Sequence, residues 1–231
     1  MTTAGRHGWT VDPITGSARD LHALALPDPP GRRVWLFTVD RPALVLGSTQ
    51  PDDVVDRAAV ARAGGEVVRR HSGGGAVLLV PGEATWVDVV IPSTDPLWVA
   101  DVGAAFLWLG RAWRDALTAG AAGDAEGPFQ VHDGPLVTGR WSTRVCFAGL
   151  GPGEVTVGHR KVVGLSQRRT RHAVRFQCVV HHRFQPDALA GLLALGEAER
   201  SSLVRDLTEG VATVRASPAA LSERLVAALP R

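Results

Sequence analysis

Residues Arg69–Val77 read Arg-Arg-His-Ser-Gly-Gly-Gly-Ala-Val and join two apolar, β-branched segments, Glu66–Arg70 and Ala76–Val80. Such segments favour strands, and three consecutive glycines are more than a turn between them needs. Glycine has no Cβ, so a ligand can lie against the backbone and successive N–H groups can face an anion. We therefore predict that Gly73–Gly75, the glycine loop, binds a ligand; the alternative is a flexible hairpin turn.

Two arginines at the start of this segment are candidates to bind the anion, because a guanidinium pairs bidentately with a carboxylate or a phosphate. Neighbouring residues in a strand point to opposite faces of the sheet. We therefore expect only one of Arg69 and Arg70 to reach the site.

Composition singles out one further side chain. Lysine and arginine total 25, and Lys161 is the only lysine, which leaves 24 arginines; tyrosine is absent. This preference for arginine over lysine is typical of GC-rich codons, and arginine then occupies the positions where any cation suffices. A compact ammonium differs from a planar guanidinium, so Lys161 is a candidate to hold a carboxylate or to polarise an acyl carbonyl. The alternative is a surface lysine retained by chance.

Cys146 lies in an apolar segment, Arg144–Ala148, for which we predict a strand. A lone cysteine in such a segment is usually an inert core residue. If it faces Lys161, however, the thiolate is favoured and Cys146 becomes a nucleophile candidate. Cys178 has no glycine or cation beside it and is interpreted as structural. No cysteine or histidine spacing resembles a zinc site, so no metal is expected.

The overall composition excludes several classes of protein. With 231 residues, of which 45% are hydrophobic, the chain can bury a core and is not disordered. Charges of both signs are interspersed at a net charge of +2, which argues against nucleic-acid binding. No segment approaches the roughly 20 apolar residues of a membrane span. Two cysteines and no apolar leader in Met1–Asp12 favour a reduced, cytoplasmic protein.

Strand and helix signals alternate along the chain. They predict an α/β (α+β) fold with a mixed β-sheet flanked by helices, with one domain over residues 1–185 and a short helical appendix over 186–231 packed on it. The predicted helices are Ser17–Ala25, Asp52–Ala63, Val99–Thr118, Pro186–Leu195, Glu197–Glu209 and Pro218–Leu229. The predicted strands outside the segments above are Val34–Val39, Leu44–Gly47, Ala84–Ile91, Glu154–Val157, Lys161–Ser166 and Ala173–His181, and Gly120–Gly127 is predicted to be a loop.

A second motif follows the glycine loop some 80 residues later: residues 158–169 read Gly-His-Arg-Lys-Val-Val-Gly-Leu-Ser-Gln-Arg-Arg. The pair of motifs, in this order, resembles the lipoate–protein ligase A and octanoyltransferase family of the biotin/lipoate protein ligase superfamily, over residues 30–185. The resemblance implies an enzyme of lipoate metabolism, with a fold like the biotin/lipoate ligase catalytic domain. It implies transfer of an octanoyl or lipoyl group to a lysine of a lipoyl carrier domain, in a 2-oxoacid dehydrogenase E2 or a glycine cleavage H protein.

The resemblance also implies roles for individual residues. Lys161 and the glycine loop would hold the acyl group. The substrate-binding residues would be Arg69, Arg70, Ser72, Gly73, Gly74, Gly75, Ala76, Gly164 and Ser166.

One spacing points to a branch of this family. Cys146-Phe147 begins 15 residues before Lys161, which is similar to the cysteine-dependent octanoyltransferases. That branch implies an acyl-thioester on Cys146, an acyl carrier protein as donor and no cofactor. ATP-dependent ligases usually follow the loop with His-Asp and carry an acidic-Asn element before the lysine, where this chain has Leu78–Glu83 and Gly151–Glu154.

Two alternatives stay open beside this branch. One is ATP-dependent lipoate ligation through a lipoyl-adenylate, with ATP and Mg. The other is a non-catalytic module that binds an acyl group or a nucleotide.

Overall fold

The computed structural model describes residues 3–4, 8–120 and 128–231, so most of the predicted loop Gly120–Gly127 lies outside the described residues. The strands are β1 Thr3–Ala4, β2 Thr10–Gly16, β3 Arg33–Val39, β4 Ala43–Leu46, β5 Glu66–Arg69, β6 Val77–Leu79, β7 Ala84–Pro92, β8 Phe129–Val131, β9 Val155–Val157, β10 Arg160–Arg169 and β11 Ala173–His181. The α-helices are α1 Ala18–Ala23, α2 Arg57–Arg62, α3 Leu107–Thr118, α4 Pro186–Gly191, α5 Glu197–Gly210 and α6 Pro218–Ala228.

These strands form two sheets. The large sheet has eight strands in the order β1-β2-β3-β7-β11-β10-β9-β8 and is antiparallel except for the parallel pair β2–β3. The small sheet has the order β5-β4-β6, with β4 parallel to β5 and antiparallel to β6. The prediction of a mixed sheet flanked by helices is confirmed, although the pairing is divided between two sheets.

Apolar side chains set the order of the layers. Helices α3 and α6 pack on one face of the large sheet through residues such as Trp113 and Leu225. The small sheet packs on the opposite face, where Val45 and Leu79 meet Trp86. Helices α4 and α5 cover the far side of the small sheet. A gap between the two sheets is therefore enclosed on both sides by β-structure.

The strands differ from the prediction at Arg144–Ala148 and at β2. The predicted strand Arg144–Ala148 is wrong: only Val145 forms a bridge, to Ala76, and Cys146–Ala148 is one turn of 3-10 helix. The backbone carbonyl of Cys146 accepts from the Lys161 ammonium instead of from a neighbouring strand. Strand β2 was not predicted because it contains Pro13. Among the described residues, β1 pairs with Thr10 and Val11 and not with Pro13, and proline is tolerated at such an edge position.

Except for α5, which ends one residue later than predicted, the helices are shorter than their sequence patterns. The segment predicted as one helix over Asp52–Ala63 is a 3-10 turn, Asp52–Val54, followed by α2. The break lies at Val55, which forms a bridge to Leu193, and Asp56 then caps α2. None of the helices in the described ranges is long and apolar enough to cross a membrane.

Candidate functional site

Two connected cavities open between the sheets. The inner pocket has a free volume of about 390 Å³ and lies between small-sheet residues such as Val77 and large-sheet residues such as Val179. The outer cleft has a free volume of about 1520 Å³ and is open to solvent. Cys146, Leu165 and Ser166 line both spaces, so they mark the junction. The inner pocket is lined by His22, Val45, Arg70, Val77, Leu79, Trp86, Cys146, Phe147, Gly164, Leu165, Ser166, Gln177 and Val179.

The glycine loop lines the outer cleft beside this junction. Gly74 has a φ of +97°, a region that favours glycine, and a Cβ there would lie 4.0 Å from the Cys146 sulfur. A side chain on Gly75 would collide with the backbone of Val145 and Cys146. The N–H groups of residues 73–75 donate to no other group among the described residues. They remain available to a ligand in the cleft.

The two arginines are separated, as adjacent strand residues are. Arg70 is buried and lines the inner pocket, whereas Arg69 lines neither cavity. Arg70 donates to the carbonyls of Gly73 (2.6 Å) and Gly75 (3.0 Å), and Arg69 donates to that of Gly47. Both side chains hold backbone carbonyls, and the buried Arg70 Nε has no hydrogen-bond partner among the described residues. Burial lowers the pKa of Arg70, and the nearby Cys146 sulfur opposes this shift.

Cys146 is positioned by contacts of its backbone. Its N–H donates to the carbonyl of Ala76 at 3.0 Å, which places the turn against the end of the glycine loop. Its carbonyl accepts from Lys161 Nζ at 3.0 Å. The residue is half-buried, and it lines the inner pocket and the outer cleft together. A group bound to this sulfur can therefore extend into either space.

Lys161 is buried, and three acceptors use the protons of its ammonium group. Nζ donates to the carbonyls of Cys146 and Gly149 at 3.0 Å each and forms an ion pair with Glu154 Oε2 at 2.6 Å. It also lies 5.0 Å from the centre of the Phe147 ring. The structure thus brings Lys161, Cys146 and the glycine loop to one cleft, with the ammonium engaged on backbone and carboxylate.

Glu154 is a site residue that the sequence interpretation missed. Both partners of the ion pair have 5% side-chain exposure, and Glu154 also accepts from the N–H groups of Gly151 and Leu165. It therefore ties the loop before β9 to β10 and to Lys161. A buried lysine needs an anionic partner. The hairpin β9–β10 brings the residues just before β9 beside Lys161, so an acidic residue there was the available signal.

A chain of hydrogen bonds runs from the junction along the inner pocket. The hydroxyls of Ser166 and Ser72 are 3.0 Å apart, Ser72 donates to Gln177 at 2.7 Å, and the Gln177 amide contacts His22 Nδ1 at 3.0 Å. Burial and then the charge of Arg175 lower the pKa of His22 to about 3, so this imidazole is neutral near pH 7. Gly164 completes the wall, since a Cβ there would press on the Phe147 ring.

Stability should fall on acidification because His22 and His181 are buried as neutral imidazoles. Burial is the largest cause that lowers the pKa of each to about 3, against 6.5 for the free side chain. Below pH 6.5 the unfolded chain binds protons that the folded chain does not. The stabilisation is therefore present above pH 6.5 and is lost as the pH falls toward 3.

Urea unfolding between pH 7 and pH 5 measures this effect. We expect a decrease of about 1–2 kcal/mol in the free energy of unfolding for each buried histidine. The variant H22Q/H181Q should show a flatter pH dependence. An unchanged slope in that variant would contradict the assignment.

Residues outside the cleft have other environments. Cys178 is fully buried, burial raises its pKa, and it lies in the core beneath α3. Within the described ranges, no group of three or more histidine, cysteine, aspartate or glutamate residues could hold a metal ion.

Known proteins share sequence features or fold with this chain. Residues 25–223 match the sequence profile of the family described as "Lipoyl protein ligase A/B catalytic domain". The bi-partite lipoate protein ligase of Thermoplasma acidophilum, described with its E2 lipoyl domain, is 16% identical with a TM-score of 0.67, over 94% of this chain and 82% of that one. A lipoate-protein-ligase-like protein of the same organism with bound lipoic acid is 17% identical with a TM-score of 0.65, over 94% and 80%.

A lipoate-protein ligase A bound with ATP has a TM-score of 0.56 at 15% identity, over 94% of this chain and 93% of that one. No curated protein sequence matches the chain significantly. These structural likenesses establish the fold. The sequence profile covers most of the chain, and the chain therefore belongs to the lipoyl protein ligase A/B catalytic domain family.

Proposed function

We propose that this protein is an acyltransferase that moves an octanoyl or lipoyl group to a lysine of a lipoyl carrier domain, through a thioester on Cys146. One observation carries the proposal: Cys146 lies where a mainly apolar pocket meets an open cleft. An acyl group on its sulfur can bury its hydrocarbon tail inward, where water is excluded. Its carbonyl then stays at the junction, within reach of groups that enter from solvent.

The first step transfers the acyl group from the donor to the enzyme. The Cys146 thiolate attacks the carbonyl carbon of a donor acyl-thioester, and a new C–S bond forms. The bond to the donor sulfur breaks, and that sulfur leaves as a thiolate that takes a proton from solvent. One thioester replaces another, so the step needs no external energy source.

The second step forms an amide. The neutral amine of the acceptor lysine attacks the acyl-cysteine from the outer cleft, a C–N bond forms, and the Cys146 thiolate leaves. The amine gives up one proton to solvent. Thioester aminolysis is downhill, which makes the second step favourable without ATP.

Two groups here can stabilise developing charge, and a third holds the nucleophile in place. The N–H groups of the glycine loop have no acceptor among the described residues and belong to a loop beside the Cys146 sulfur, so they are the candidate donors to an oxyanion. Arg70 forms no ion pair with a carboxylate of the described residues, which leaves its buried charge for the thiolate. Lys161, neutralised by Glu154, holds the Cys146 turn through two carbonyls.

ATP-dependent lipoate ligation is the competing function, since a relative is described with bound ATP. A triphosphate carries several negative charges and is normally held by cations. The side chains that line the outer cleft include one cation, Lys161, and it is already paired with Glu154. The glycine loop could hold one phosphate, but these residues fit a complete triphosphate poorly. This charge balance favours the transferase.

The proposed acceptor is a lipoyl carrier domain. A structural relative is described together with its E2 lipoyl domain, and another with bound lipoic acid. An acyl carrier protein is the proposed donor, because it presents the acyl group as a thioester.

Mass spectrometry after incubation with an octanoyl-acyl carrier protein tests the proposal. We expect an octanoyl adduct on the peptide that contains Cys146, released by neutral hydroxylamine as a thioester. Lys161 is the only lysine, so a resistant amide adduct on this chain could lie only there or at the N-terminus. Pyrophosphate release from lipoate, ATP and Mg without an adduct would support the ligase. Ligand binding with neither signal would support a binding module.

A further inference from the structure

A third space lies beyond the inner pocket. This rear cavity has a free volume of about 440 Å³ and is lined by Phe37, Thr38, Val39, Leu79, Val80, Gly82, Ala84, Trp86 and Pro218. Leu79 and Trp86 line the inner pocket as well, and no other residue is common to the two spaces. The inner pocket and the rear cavity are therefore separated by these two side chains.

The two side chains differ in how firmly they are held. The Trp86 indole donates to Asp88 Oδ1 at 2.7 Å, and its ring centre lies 4.5 Å from His22 and 4.7 Å from Phe37. Leu79 is buried at the end of β6 and has only apolar contacts for its side chain. Trp86 is thus the fixed part of the wall, and Leu79 is the part that can be shortened without removing a hydrogen bond.

Cys146 lines the outer cleft and the inner pocket but not the rear cavity, whereas Leu79 and Trp86 line the inner pocket and the rear cavity but not the outer cleft. An acyl tail that starts at this sulfur and fills the inner pocket meets the Leu79–Trp86 wall. The neutral His22 lies beside this wall, with its ring centre 4.5 Å from that of Trp86. The length of the tail is therefore limited by the position of these side chains.

We infer that Leu79, packed against Trp86, sets the upper limit of acyl-chain length in this protein. The inference rests on the proposed function, since it takes the inner pocket as the acyl site. Shortening Leu79 joins the inner pocket to the rear cavity and lets a longer chain continue into it. Each additional methylene that becomes buried strengthens binding by about fourfold, from about 0.8 kcal/mol per methylene.

Variant L79A tests this directly, with L78A as the matched control. Leu78 is the neighbouring residue on β6, points to the other face and packs in the cluster under α4 and α5. For each protein we would measure the rate of Cys146 acylation from octanoyl-, decanoyl-, dodecanoyl- and tetradecanoyl-carrier protein. We expect the dodecanoyl-to-octanoyl ratio to rise at least about tenfold in L79A and to stay unchanged in L78A.

Calorimetric binding of free octanoate and dodecanoate to the same proteins gives a readout that needs no catalysis. If L79A unfolds, L79V and L79F replace it, and we expect them to lengthen and to shorten the preferred chain respectively. A chain-length profile that is the same in all Leu79 variants, in a protein that accepts octanoyl groups, would overturn the inference. Failure of the wild type to form any acyl-cysteine while its fatty-acid preference still shifts in L79A would overturn the transferase alone.

Discussion

Cys146→Ser should abolish acyl transfer while leaving the fold intact. The change keeps the size of the side chain and its backbone contacts with Ala76 and Lys161. It replaces a sulfur nucleophile with a hydroxyl that needs a general base, and no histidine of the described residues lines the outer cleft. We expect the transfer rate to fall by at least about 10³-fold, as for loss of other nucleophiles.

The control is C178A, because Cys178 is the other cysteine and lies buried in the core. It should retain the adduct on Cys146 and most of the activity, with a lower unfolding temperature. Transfer of octanoyl groups by C146S at rates near those of the unmodified chain would show that Cys146 is a packing residue. An unchanged rate of lipoate activation by ATP in C146S would assign the chain to the ligases.

Lys161→Met should be among the most destabilising single changes in the site. It leaves the Glu154 carboxylate buried without its cation, at a side-chain exposure of 5%. Removing one partner of a buried ion pair costs about 3–5 kcal/mol, mainly because the remaining charge is uncompensated. Urea unfolding of K161M and of K161M/E154Q separates the two contributions. We expect the double variant to recover a large part of the loss, because no unpaired charge is then buried.

A conservative exchange at the same position separates charge from shape. Lys161→Arg keeps the positive charge, but it puts a planar guanidinium where a compact ammonium packs beside Phe147 and Gly164, and a Cβ on Gly164 would lie 3.6 Å from Lys161 Cε. We expect the protein to fold and to lose at least about 10²-fold in transfer rate, because the Cys146 turn is displaced. Near-normal turnover of K161R would refute the importance of the ammonium at this position.

The Cys146 variant and the Lys161 variants test different parts of the proposed site. In the proposed mechanism Cys146 supplies the nucleophile, whereas Lys161 and Glu154 are positioning residues that hold the turn carrying it. If K161R acylates Cys146 at the normal rate but completes transfer to the acceptor more slowly, then the ammonium acts in the second step. Measuring single-turnover acylation and complete transfer in the same variant distinguishes these cases.

Local patterns in the chain were sufficient for most of the fold. Apolar runs between glycines and prolines predicted the strands that flank the glycine loop, and the two motifs identified the family that the sequence profile bears out. The single lysine was also visible in the composition, because the chain uses arginine at 24 of its 25 lysine or arginine positions. Strand patterns and motifs are properties of short segments, so residues that are close in sequence largely determine them.

Only the tertiary structure decided how the site is arranged. Glu154 as the partner of Lys161, the backbone role of Arg70 and the turn at Cys146 all depend on contacts between distant segments. The division into two sheets also creates the inner pocket and its Leu79–Trp86 wall, which no single segment encodes. Burial of a charge or closure of a cavity depends on every layer packed around it, so these features follow from the assembled core rather than from local sequence.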